Sequence, residues 1–264
     1  MGLINRLRHR LRSRGSEAAA TGRRALDREA ARALRPGDEH YTAYVGPPTQ
    51  YDFMGATQFR LLTALGLREQ HDLLDFGCGS LRAGRLLIPY LLPGHYFGLD
   101  PNRWLIEDAI AHELGAGLVA LKRPIFRHDD DFTAAGFGVR FDFILAQSIF
   151  SHAGADIVGR CLASFRETLK PGGLVLATFV LPGRVPNAVP EGEGWVYPEC
   201  VWYELPRLIE MTEAAGLVGR PLPWSHPTQT WFAMAGRRED LPSEADDIHL
   251  GGRVLPRPAP SPET

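Results

Sequence analysis

The sequence offers few cysteines, no long apolar run and no internal repeat. Cys78, Cys161 and Cys200 are odd in number, widely separated and without metal-ligand spacing, so neither disulfides nor a metal site is expected. No stretch approaches about 18 uninterrupted apolar residues, which argues against a transmembrane helix, and with no secretory signal the chain reads as cytoplasmic. A broad basic face is missing too. Residues 1–35 hold ten arginines against Glu17, Asp27 and Glu29, a balance of +7 that leaves −9 for the rest of a chain whose net charge is −2. An acidic body does not suit a specific nucleic-acid partner, which requires clustered Lys and Arg to replace phosphate counterions.

What remains is ordinary for a globular protein: 44% hydrophobic and 23% charged residues rule out wholesale disorder, and 264 residues suit one α/β domain with appendages. The head, residues 1–35, reads as a basic, poorly ordered extension. Within it Leu3, Leu7 and Leu11 recur among arginines, a pattern suited to weak contact of residues 1–14 with an anionic membrane surface. Residues 36–240 make the domain, and residues 241–264 a tail.

His71 to Leu92 reads as a short buried strand at Leu73-Leu74, a glycine turn from Asp75 to Ser80, and a helix that Ser80 would cap. Gly77 and Gly79 let the backbone turn sharply and approach a ligand, with Cys78 between them, and a helix start supplies unpaired N–H groups. Asp75, two residues before the first glycine, would repel a pyrophosphate and welcome a cation. S-adenosylmethionine, with its sulfonium and ammonium groups, fits such a loop better than a dinucleotide does. The dinucleotide spacing also fails, since Arg82 stands where a third glycine belongs and Gly84 comes too late. A nicotinamide-dependent oxidoreductase is disfavoured on both grounds.

The next strand, His95 to Leu99, ends in Asp100, whose carboxylate is placed to accept hydrogen bonds from a ribose diol, and Pro101-Asn102 opens the following helix. Pro124 to His128 leads to Asp129-Asp130-Asp131, where Asp129 or Asp130 suits an adenine amino group. Phe141 to Ala146 is a strong strand, and Gln147 just beyond it neighbours the cofactor. A helix from about Ala155, a Lys170-Pro171-Gly172-Gly173 turn and a strand from Leu174 follow. Alternating strands and helices with right-handed crossovers give a doubly wound parallel sheet with these loops on one edge.

These residues resemble the class I S-adenosylmethionine-dependent methyltransferase superfamily: Leu-Leu-Asp-Phe-Gly-Cys-Gly-Ser at 73–80, Gly-Leu-Asp at 98–100 and Leu-Lys-Pro-Gly-Gly at 169–173 look like its successive motifs. More narrowly, Gly-Cys-Gly-Ser-Leu-Arg-Ala-Gly-Arg, Ala-Gln-Ser-Ile-Phe-Ser-His and Trp-Ser-His-Pro-Thr-Gln look like a bacterial subgroup. The resemblance implies a Rossmann-like, seven-stranded, mostly parallel sheet with its last strand antiparallel. It also implies cofactor contacts at Gly77, Gly79, Asp100 and an acidic residue at 129 or 130, with Asp75 orienting the methionyl ammonium.

Residues 180–203 form a Pro- and Gly-rich acceptor-side loop in which Trp195 and Tyr197 line a pocket for a small-molecule acceptor. His152 and His226 are the candidate bases for deprotonating an acceptor oxygen or nitrogen. Base methylation in nucleic acid is disfavoured, because Ala146-Gln147-Ser148-Ile149 replaces the Asn- or Asp-Pro-Pro-aromatic tetrad that would hold a flipped base. A non-catalytic scaffold keeping the fold is the alternative, against which the intact set Asp75, Gly77, Gly79 and Asp100 speaks.

Overall fold

The computed structural model describes residues 28–250 apart from 244 and 246; the Leu- and Arg-rich head up to residue 27 and the tail from 251 lie outside the described residues. Short, largely apolar runs become the central strands. They are β1 (Leu73–Phe76), β2 (Tyr96–Leu99), β3 (Ile125–Arg127), β4 (Phe141–Ala146) and β5 (Leu169–Phe179). A short parallel pair, β6 (Val189–Pro190) and β7 (Val201–Trp202), lies within the long loop, and β8 (Val218–Leu222) and β9 (Thr230–Ala235) follow. The main sheet runs β3-β2-β1-β4-β5-β9-β8, and β9 is antiparallel to both neighbours. This is the seven-stranded α/β sheet expected, with the last strand reversed.

Buried side chains cover both faces of the sheet, as the continuous apolar patterning of parallel strands requires. One face packs Leu74, Phe76, Ile144 and Val175 against the helix Ala155–Thr168, where Phe165 meets Phe76 edge-on at 4.9 Å. The other packs Leu73, Phe143, Leu145 and Leu176 against the helices Tyr51–Ala64 and Gly84–Tyr90. An arm ahead of the sheet, with a short helix at Tyr41–Tyr44, crosses the carboxyl edge and packs Tyr41 against Tyr51. At the far end the tail expected to begin at 241 docks on the domain: Leu250 is buried and Asp247 pairs with Arg220 at 2.7 Å.

Two local expectations change. Ser80 caps nothing, because Leu81 adopts a left-handed φ of 54° and the helix starts only at Gly84; instead Ser80 accepts the Tyr51 hydroxyl on its carbonyl at 2.6 Å. The Lys170–Gly173 turn becomes a bulge inside β5. Phe141 pairs with Leu169 and Phe143 with Leu174, so the residues between them loop out while the Lys170 ammonium bridges Asp72 and Asp142 at 2.7 Å each.

Candidate functional site

Strand order reverses between β1, which has β2 on one side, and β4 on the other, so the loops at their carboxyl ends diverge and leave a crevice. A cleft of about 810 Å³ fills it, and every residue singled out above for cofactor, acceptor or catalysis lines that cleft. Gly77 and Gly79 carry φ of 73° and 51°. A Cβ on Gly77 would stand 2.0 Å from Ile149, and one on Gly79 would stand 2.7 Å from Val45 of the arm. The glycines are therefore required both by the turn and by the closeness of what faces it.

Asp100 is buried at the end of β2. One of its oxygens accepts the Gly79 backbone N–H at 2.9 Å, and the other accepts the Asn102 backbone and side-chain N–H groups at 2.8 and 3.1 Å. Burial raises its pKa and these hydrogen bonds oppose the rise. Each carboxylate oxygen has two acceptor sites, so with three of the four filled, one on the oxygen facing Gly79 remains for a ribose hydroxyl. Pro101 and Asn102 complete the rim, while burial pushes the Cys78 thiol well up and keeps it neutral. Beyond β3 the two aspartates separate in role. Asp129 pairs with Arg127 at 2.5 Å, which lowers its pKa, whereas Asp130 is exposed and has no ion pair among the described residues.

Asp75 is fully enclosed at the end of β1 and accepts the Tyr96 hydroxyl at 2.7 Å. Burial raises its pKa to about 6, opposed by the Tyr96 hydrogen bond and by the positive charge of Arg82. A carboxylate so placed gains most from a cationic partner, which supplies the charge that water no longer screens.

On the opposite wall, Trp195 and Tyr197 lie nearly parallel with centroids 6.4 Å apart, and His152 stands edge-on to both, at 5.9 and 4.9 Å. Phe132 extends this wall, and the Tyr197 hydroxyl donates to the Tyr44 carbonyl of the arm. The two histidines differ in tautomer. His152 Nδ1 lies 2.6 Å from the Glu199 carbonyl, so it must carry the proton, and Nε2 keeps a bare lone pair; burial lowers its pKa. His226 Nδ1 accepts the Thr228 and Gln229 backbone N–H groups at 3.2 and 2.9 Å, which puts its proton on Nε2. Burial, then the charges of Arg82 and Arg184, lower the His226 pKa to about 4, so the ring is neutral.

Gln147 joins the two walls. Its carbonyl oxygen accepts from Gln58 and Arg82, and its amide donates to Ser148. Neither Gln58 nor Arg82 was recognisable as a site residue from sequence. Gln58 is a lone polar residue on the buried face of a helix, and Arg82 showed only as the side chain standing where a glycine was wanted.

The stretch from residue 74 to residue 175, from β1 into β5, matches the family model of a methyltransferase domain. Solved structures share the fold. DesVI of Streptomyces venezuelae is 16% identical, with 74% of this chain and 95% of that one covered and a TM-score of 0.54. DhpI in its complex with SAH is 21% identical, covering 78% of this chain and 93% of that one at a TM-score of 0.55. Magnesium protoporphyrin IX methyltransferase of Synechocystis PCC 6803, with bound SAM, is 13% identical, covering 71% and 79% at a TM-score of 0.52.

Proposed function

We propose that this chain, a class I S-adenosylmethionine-dependent methyltransferase, moves the methyl group to an oxygen or nitrogen of a small-molecule acceptor held against Trp195 and Tyr197. The observation that carries this reading is the bare Nε2 lone pair of His152 beside those two rings, in the cleft that also holds the glycine loop. The cofactor's donors match the acceptors present: a carboxylate at Asp100 for a ribose hydroxyl, an exposed carboxylate at Asp130 for the adenine amino group, and Asp75 for the ammonium. When bound, S-adenosylmethionine supplies an electrophilic methyl group on sulfonium.

The chain's own work is alignment and proton removal. The aromatic wall holds the acceptor in line with the methyl carbon, and rigid positioning converts an encounter into a near-attack geometry. With a bound cofactor supplying the methyl group and its sulfur keeping the electron pair of the bond given up, His152 Nε2 would take the acceptor proton. The Glu199 carbonyl then steadies the imidazolium through Nδ1–H. His226, protonated on Nε2, serves as a hydrogen-bond donor in this arrangement, and the role of base falls to His152. A panel of phenols, carboxylic acids and amines assayed for transfer of labelled methyl tests the reading. One acceptor class is expected to turn over, with KM raised about tenfold or more by Trp195→Ala through loss of stacked area; no turnover of any member by protein that binds the cofactor favours the scaffold alternative.

The raised Asp75 pKa has a measurable consequence. Without ligand the carboxyl stays protonated below about pH 6, so its contribution to stability is full below the ordinary carboxylate pKa and is lost as pH rises through 6. An ammonium partner reverses this preference. Binding of S-adenosylhomocysteine at pH 5 is therefore expected to release close to one proton, and affinity to fall by up to tenfold per pH unit below 6. Calorimetry in two buffers of different ionisation heat reads the proton count, and a count of zero in both would remove Asp75 from the ammonium site.

A further inference from the structure

At one corner of the cleft several N–H donors converge, beside the unpartnered carbonyl oxygens of Gln58 and Gln229. Arg82 can only donate, so its bond to Gln147 fixes the carbonyl end of that amide toward the guanidinium and turns the NH2 end toward His226. Gln147 Nε2 and His226 Nε2 then stand 3.1 Å apart. The His226 proton is on that same nitrogen, because two backbone N–H groups occupy Nδ1. Two N–H groups thus face each other at hydrogen-bond distance.

Arg82 adds a charge to this corner. Its remaining bond is to the Val45 carbonyl at 2.9 Å, its buried Nε has no partner, and no carboxylate pairs with it among the described residues. Its nearest counter-charge is Asp75, which it feels without forming a salt bridge, and a largely enclosed guanidinium so placed gains when an anion enters. Arg184, exposed on the acceptor-side loop, strengthens the positive potential around His226.

We propose that Arg82, the Gln147 amide and the His226 Nε2–H form a pocket for an oxyanion, a carboxylate or phosphate-type group carried by the acceptor. The methionyl carboxylate of the cofactor shares that chemistry, and its occupation of this corner would be the ordinary cofactor subsite instead. The inference rests on the methyl-transfer reading of the cleft for the identity of the ligand, and the experiment separates the two.

S-adenosylhomocysteine and its decarboxylated analogue are titrated by calorimetry into the wild type and into Arg82→Gln and His226→Phe variants that melt cooperatively. Inorganic phosphate and acetate are titrated into the same proteins, free and saturated with S-adenosylhomocysteine. If the cofactor supplies the anion instead, Arg82→Gln weakens S-adenosylhomocysteine about ten- to a hundredfold and leaves the decarboxylated analogue unchanged, as loss of a charged hydrogen bond predicts, and the acceptor pocket is overturned. If the acceptor supplies it, S-adenosylhomocysteine binding is unchanged, while phosphate or acetate binds the saturated wild type and is lost in Arg82→Gln and weakened in His226→Phe. Unchanged cofactor affinity together with no anion binding overturns the pocket. Wild-type protein that binds no S-adenosylhomocysteine defeats the methyltransferase reading instead, and phosphate binding to the free protein then decides the pocket by itself.

Discussion

Replacing Asp100 with alanine is expected to lower affinity for S-adenosylhomocysteine by about one to two orders of magnitude. A hydrogen bond to a buried carboxylate is worth roughly 1.5–3 kcal/mol, and the acceptor site left on Asp100 takes one ribose hydroxyl. The substitution also strands the Gly79 N–H that Asp100 now receives, so the loop loses its anchor at the point where the glycine approaches Val45. Asp100→Asn keeps the shape and one acceptor oxygen, and an intermediate loss is expected of it. Calorimetry on both variants, alongside their thermal melts, separates a lost ligand contact from a lost fold. An Asp100→Ala affinity within about threefold of wild type would displace the ribose from this residue.

The second large effect falls on rate. His152→Asn is expected to cut kcat by about two to three orders of magnitude, the usual contribution of a positioned base, while leaving S-adenosylhomocysteine affinity untouched. Asparagine is the informative substitute, because its amide can still donate to the Glu199 carbonyl as Nδ1–H does, so the loop stays in place while the lone pair is removed. The pH profile supplies the sign. Burial lowers the His152 pKa below its ordinary value of 6.5, so the wild-type rate is full at neutral pH and declines only as acidity protonates Nε2; that limb should vanish in the variant. His226→Asn, by contrast, should alter KM and leave the limb in place. A His152→Asn enzyme with unaltered kcat would return the proton to solvent.

Much of the architecture was legible because the signals are local. Phe141 to Ala146 and Thr230 to Ala235 are apolar runs bounded by polar residues, and they fold as strands with those limits. The glycine loop and Asp100 sit at strand ends, where spacing alone brings them to one edge of a parallel sheet. The misread features depend on partners distant in sequence. Ser80 has the composition of a helix cap, yet a left-handed Leu81 delays the helix and Tyr51 claims the serine. The pairing of β6 with β7 joins two-residue segments too short to carry a periodic pattern. The tautomers that separate His152 from His226 are set by the Glu199 carbonyl and by two turn amides. Backbone groups leave no trace in residue identity, so no reading of the chain distinguishes the two histidines.

The wall facing Gly79 belongs to the arm rather than to the sheet. Val45 meets the glycine loop there, and the arm is tied across the cleft by the Arg82 bond to the Val45 carbonyl and the Tyr197 bond to the Tyr44 carbonyl. Both ties end on backbone oxygens of a segment that contributes no strand to the seven. Detaching it costs those bonds, the Tyr41 bond to Glu113 and the burial of Tyr41, Thr42 and Ala43, but leaves every ladder of the sheet intact, a smaller free energy than global unfolding. Opening of this wall is therefore a local event, separate from unfolding of the sheet.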